Sequence, residues 1–246
     1  MPSPDVTYPP LDTLKPVADD LWIVDSGPQH AAGLALPVRM SVIRLPSGGM
    51  WLHSPTRFSE PLRREIEALG PIRHLVAPNI AHWTHLKEWQ AHCPEARTSA
   101  APNLRQRSQV QSQGVRLDRD LGETPPEDWN GVIEQIMVPG GGGFTEVAFF
   151  HRPTRTLLLA DLVQNLEPGK LPIGTRLFAA LNGILAPDGK APAYLRLAIR
   201  LRRSEARQAA ERILAWNPER VILGHGRWFE KEGTAQLKHA FRWLVG

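Results

Sequence analysis

Residues 156–165 read Thr156-Leu157-Leu158-Leu159-Ala160-Asp161-Leu162-Val163-Gln164-Asn165. The apolar run suits a buried strand, and it ends in a carboxylate. A carboxylate in that position must find a cation, backbone donors or solvent, because burying it unpaired is expensive. The same form recurs in RVILGHG at 220–226, where Val221-Ile222-Leu223 leads into Gly224-His225-Gly226. It recurs again in HLVAPNIAHWTH at 74–85, where His74 to Ala77 leads into a polar loop. Polar residues at strand ends suit a functional site, since the strand fixes the backbone while the loop opens to solvent.

Outward from these segments the chain alternates strand and helix signals. Leu21 to Val24, Met40 to Leu45 and Met50 to His53 read as strands, the last two joined by a tight turn at Pro46-Ser47-Gly48-Gly49. Residues 1–20 are Pro-rich and read as an irregular lead-in to a single domain over 21–246, and residues 28–38 read as a loop. Ser59 as N-cap, Pro61 in the first turn and Leu62, Ile66 and Leu69 at helical spacing predict a helix closed by Gly70. Further helices are expected over 85–93, 104–113, 204–216 and 234–244, and further strands over 97–99, 132–138, 146–151 and 156–160. Gly140 to Gly143 read as a hairpin, since a strand follows them and no phosphate-loop context is present. Each half runs strands first and helices after, with no linker between. That order is compatible with two packed sheets flanked by helices, a four-layer α/β arrangement; on pattern alone a doubly wound parallel sheet is the rival.

The 246 residues are 42% hydrophobic and 22% charged, which suits a globular core and excludes a disordered or fibrous chain. No apolar run is long enough to span a bilayer, and the N-terminus shows no secretory signal, so a cytoplasmic location is expected. Cys93 is the single cysteine, which excludes an intrachain disulfide and a thiolate zinc cluster. The net charge of +4 is mild when spread over this length, so neither a nucleic-acid partner nor a membrane partner is expected. Arg196, Arg200, Arg202, Arg203 and Arg207 interleave with Leu195, Leu197, Ile199 and Leu201. They read as an amphipathic segment whose Arg stems cover apolar surface.

Among single residues, Asp161 reads equally as a metal ligand or as a strand-end cap. His225, between two glycines that permit unusual backbone angles, reads as a ligand, a general base or a turn residue. His82 and His85 share a helical face if their segment is helical, and could then share a metal. His74 and His92 read as surface or helix-end residues, and His151 as a strand-end residue. The tryptophans Trp22, Trp51, Trp89, Trp216 and Trp243 read as core.

The order of LWIVDSG, the paired strands, the strand ending in Leu159-Ala160-Asp161 and the late Leu223-Gly224-His225-Gly226 resembles the metallo-β-lactamase superfamily from about Leu21 to about Trp228. The resemblance implies a four-layer αββα sandwich with a metal site at one edge of the two sheets. Asp161 matches the family's bridging aspartate and His225 its final histidine. The main metal loop, His-x-His-x-Asp-His, falls on Asn79, Ala81, Trp83 and Thr84, and the later Gly-His loop on Gly140 to Gly143, so those ligands are missing here. A catalytic zinc site needs three protein ligands and an open position. Asp161 and His225 supply two; His82 or His85 would have to supply the third. The resemblance therefore implies a single-metal hydrolase acting on an unknown small molecule, with zinc first and iron or manganese as alternatives. Asn79 is expected to orient substrate or water. The alternative is a binding protein on the same scaffold that has lost its metal.

Overall fold

The computed structural model describes residues 5–31 and 34–246. Their strands form two sheets. In the larger, β1 (Lys15–Ala18), β2 (Leu21–Ala31), β3 (Leu34–Arg44), β4 (Met50–His53), β5 (Ile72–Ala77), β6 (Arg97–Ala100) and β7 (Arg119–Asp120) lie side by side in chain order. Pairing is antiparallel from β1 to β4 and parallel from β4 to β7. Parallel neighbours need a crossover. These carry α1 (Glu60–Glu67), α2 (Leu86–His92) and α3 (Ser108–Ser112) in turn. The Ser59 side chain caps α1 by accepting from the Leu62 amide, and Leu62 and Ile66 are its buried stripe.

The smaller sheet is a meander of β8 (Ile133–Pro139), β9 (Thr145–His151) and β10 (Thr156–Leu159), with β11 (Arg220–Leu223) parallel to β10 at the edge. The crossover from β10 to β11 contains α4 (Ile173–Asn182), α5 (Ala193–Arg200) and α6 (Arg203–Ala215), and α7 (Gly233–Val245) ends the chain.

Side-chain alternation along the strands divides the core into layers. Ile23, Ile43, Trp51 and Val76 from the large sheet meet Val147, Phe149, Leu158 and Ile222 from the small one. Their outward neighbours Val24, Val42, Leu52 and Leu75 pack with Leu62, Ile66, Leu86 and Trp89 of the helices on that side. On the far side Phe150, Leu157, Leu159 and Leu223 pack with Leu195, Ile213, Leu237 and Phe241. The result is the αββα order of layers, with helices outside both sheets, and the doubly wound rival is excluded.

Four local expectations are corrected. Of the stretch 28–38 expected as a loop, the described residues 28–31 and 34–38 lie in β2 and β3, which pair antiparallel with an irregularity in register between Ser26 and Gln29, where Gly27-Pro28 interrupts the pairing. The lead-in is not irregular throughout, because Lys15–Ala18 forms β1 against β2. His74 is not a surface residue; it is buried, with its ring edge-on to Trp129. The helix expected over 104–113 is split, with a 3-10 turn at Leu104–Gln106 before α3.

Candidate functional site

β10 and β11 pair in parallel with Leu159 opposite Leu223. The next residues on each strand therefore leave the sheet side by side, and the Gly224 amide extends the ladder by donating to the Leu159 carbonyl at 2.9 Å. This brings Asp161 and His225 together. A Cβ on Gly224 would lie 3.1 Å from the Ala160 carbonyl oxygen and 3.2 Å from His82 Cε1. A Cβ on Gly226, at φ +86°, would lie 2.2 Å from the Asn165 carbonyl oxygen. Both glycines are needed for His225 to be presented where it is.

Arg39 of β3 locks the same loop. Its buried guanidinium donates from Nη1 to the carbonyls of Leu223 and Gly226, both at 2.8 Å. Its Nη2 lies 2.6 Å from Asp25, which also pairs with Lys15 at 2.8 Å. Through its bonds to these two carbonyls, Arg39 staples the large sheet to the turn that carries His225.

His82 arrives differently. The loop after β5 is folded around Asn79, whose Oδ1 accepts from the amides of Ala81 at 2.8 Å and His82 at 3.1 Å. The Asn79 Nδ2 donates to Asp161 Oδ2 at 2.8 Å and to Glu146 Oε2 at 3.0 Å. With two acceptances and two donations, its hydrogen-bonding capacity is filled. Asn79 is fully buried, and these bonds tie the loop to Asp161.

Asp161, His82 and His225 each offer a ligand atom, and those atoms lie within 4.8 Å of one another. His82 Nε2 is 3.3 Å from Asp161 Oδ2, and His225 Nε2 is 3.4 Å from Asp161 Oδ1. His225 Nδ1 lies 2.8 Å from the Pro37 carbonyl. A carbonyl can only accept, so Nδ1 carries the proton and Nε2 is left for Asp161 or a cation. His82 Nδ1 is 2.6 Å from the Ser54 hydroxyl, which can donate or accept. Gln164 Nε2 donates to Asp161 Oδ1 at 2.8 Å. The donors fit a divalent cation: two imidazoles and a carboxylate suit zinc or iron. His85 lies outside this group, at the start of α2, although it lines the same cavity.

Electrostatics follow from this packing. Burial pushes the Asp161 carboxyl up, but His82 and His225 beside it hold it well below the usual carboxylate range. Burial pulls the His82 imidazole down, and the charges of Asp161 and Glu146 more than offset that, so it titrates above its ordinary value. Glu146 of β9, missed in the sequence, is fully buried. It accepts the amides of Ala160 at 2.9 Å, Asp161 at 2.8 Å and Leu162 at 3.3 Å. Burial and the Asp161 charge raise its pKa. Its role is to fold the turn after β10. The available signal was a lone charge opening the apolar run Val147 to Phe150.

The cluster forms the floor of a cavity of about 160 Å³. Leu36, Val38, Pro55 and Trp83 give it apolar walls, and Ser54, Thr56, Gln164 and Tyr194 add polar groups. Tyr194 presents its phenol hydroxyl at the rim of this cavity.

Solved structures share this fold. A crystal structure of the DIM-1 metallo-β-lactamase exposed to ceftazidime superposes with a TM-score of 0.66 at 16% identity, covering 99% of this chain and 98% of that one. The metallo-β-lactamase FIM-1 from Pseudomonas aeruginosa in its mono-zinc form gives 0.57 at 15% identity, covering 95% and 96%. The metal-soaked Flv1 flavodiiron core from Synechocystis sp. PCC6803 gives 0.61 at 11% identity, covering 99% of this chain and 62% of that one. At these identities the likeness shows the metallo-β-lactamase fold alone. No curated protein matches the sequence. Residues 18–180 match the family model DUF4336, described as a domain of unknown function, and the chain belongs to that family.

Proposed function

We propose that the chain is a metal-dependent hydrolase with a single-metal site held by His82, Asp161 and His225. The observation that carries this reading is the convergence of two imidazole Nε2 atoms on one buried carboxylate at the floor of a cavity. When bound, a divalent cation supplies Lewis acidity toward a carbonyl or phosphoryl oxygen and lowers the pKa of water. The chain's own residues hold the rest of the arrangement. Pro37 and Ser54 fix the two rings from their Nδ1 sides. Asn79 and Gln164 fix the two oxygens of Asp161. Leu36, Val38 and Trp83 keep the walls dry, and Tyr194 presents its hydroxyl to whatever enters. Zinc is the first candidate, with iron or manganese next, and the narrow cavity favours a small molecule as substrate.

A second reading, a binding protein without metal, rests on a different observation. Asp161 already receives hydrogen bonds from Asn79 and Gln164, so the cluster can be satisfied by protein groups alone. Elemental analysis of protein purified without a metal-affinity column separates the two. The hydrolase reading expects about one equivalent of metal in the wild type, lost in Asp161→Ala. No metal after zinc loading and dialysis would overturn it and leave the second reading.

A further inference from the structure

The charge of this chain is gathered into one place. From Pro168 to Arg203 there are seven Lys or Arg and one acid, Asp188, so this segment carries +6 (7 − 1) against +4 for all 246 residues. The same segment forms α4 and α5. Every large apolar side chain that the described residues leave exposed falls on it or directly after it: Ile173, Leu177 and Leu181 on α4, then Tyr194, Leu197 and Leu201 at α5, between 61% and 88% exposed. Their spacings place each set on one helical face. The opposite faces are the ones that pack, through Thr175 and Ala179 on α4 and Leu195 and Ile199 on α5. Arg196 holds the two helices together by donating to the Asn182 carbonyl at 3.0 Å. Arg176 and Arg200 are exposed and make no ion pair among the described residues, whereas Arg202 pairs with Glu205.

We propose that the α4–α5 face docks on an anionic lipid bilayer. Exposed aliphatic rows flanked by arginines are what an interfacial helix pair presents to acyl chains and acidic headgroups together. A second copy of this chain fits worse, because a symmetric contact would bring the unpaired Arg176 and Arg200 of both copies into one interface. A nucleic acid also fits worse, because five of the six exposed side chains are aliphatic and offer no stacking surface. Tyr194 belongs both to this face and to the cavity wall, so docking brings the cavity mouth to the headgroups. Averaged over the chain, the charge argues against a membrane partner; gathered by the fold, it argues for one.

Co-sedimentation of the full chain with vesicles tests this, using phosphatidylcholine alone and phosphatidylcholine mixed with phosphatidylglycerol in equal parts. The wild type is expected to pellet with the anionic vesicles, with binding at least about tenfold weaker to the neutral ones and weakened by salt. The paired change Leu177→Asn with Leu197→Asn, which leaves the charge unaltered, should abolish most of the binding. The paired change Arg176→Gln with Arg200→Gln should weaken it about fivefold per arginine. All four positions are exposed, and thermal melts unchanged from wild type confirm that the variants fold. Protein that stays in the supernatant with anionic vesicles at low salt overturns the proposal. So does binding unaffected by the leucine pair, which would mark a charge-only polyanion site. A lipid-free dimer that the leucine pair dissolves, seen by sedimentation equilibrium, would make the face a self-interface and overturn it as well.

Discussion

The two sides of the candidate site are built by different means. Asp161 and His225 stand two residues beyond Leu159 and Leu223, the last paired positions of adjacent parallel strands, so their positions follow from sheet register. His82 stands five residues beyond β5, and its position follows from the hydrogen bonds of Asn79 and Ser54. Register is secured by the whole sheet and by the Arg39 staple. The loop is secured by a few side chains, each replaceable. The strand-end side should therefore fail through loss of stability and the loop side through loss of affinity for a cation.

The largest expected effect is at the staple. Arg39→Met leaves Asp25 buried without its main partner and strips two carbonyls of their donor, which should cost about 3–5 kcal/mol. Thermal or denaturant unfolding reads this directly; a loss under about 1 kcal/mol would mean that the β11 turn holds its shape without Arg39.

Acid offers a comparison of the two sheets. His74 on β5 and His151 on β9 are both held by burial near pKa 4, below their ordinary value. The unfolded chain therefore binds protons first as pH falls from about 6.5 toward 4, and stability declines across that window by up to roughly 1.4 kcal/mol per pH unit for each histidine. His74→Gln and His151→Gln should each flatten the decline, and equal flattening would show that the two rings are equally desolvated. A melting temperature independent of pH between 6.5 and 4 contradicts the burial argument.

On the loop side, Asn79→Ala should weaken metal affinity about 10–100-fold by releasing both Asp161 and the His82 backbone, measured by competition with a chromophoric chelator. Ser54→Ala should give the smallest change, near about tenfold, since it frees one ring to rotate and leaves the loop folded. If Ser54→Ala costs more than Asn79→Ala, ring orientation outweighs loop shape and the contrast between the two sides needs redrawing.

These two modes of construction explain what was legible in the sequence. Apolar runs ending in Asp161 and in Gly224-His225-Gly226 announce themselves, because burial and glycine leave marks in composition. The four-layer order came from the family resemblance, because the strand and helix pattern alone left a doubly wound sheet as a rival. The β2–β3 extension was hidden because Gly27 and Pro28 break the strand pattern at the point where the hairpin merely changes register. Arg39 and Glu146 were hidden because a buried charge is explained only by partners distant in sequence, Leu223 and Gly226 for one and Asn79 with the 160–162 amides for the other. Asn79 stood out for its position in the loop, but its use as a bracket between loop and carboxylate needed the fold.

The parallel pairing of β10 with β11 has a consequence for how the molecule assembles. Residues 161 and 225 are 64 positions apart, and α4, α5 and α6 must be accommodated between them before the strands can pair. Closing so long a segment is entropically slow, and contacts of this range belong late in folding. The His82, Asp161 and His225 cluster is therefore a mark of completion: no fragment ending before β11 can form it. A ligand bound there would tie shut the longest loop of the small sheet, selecting finished chains from unfinished ones.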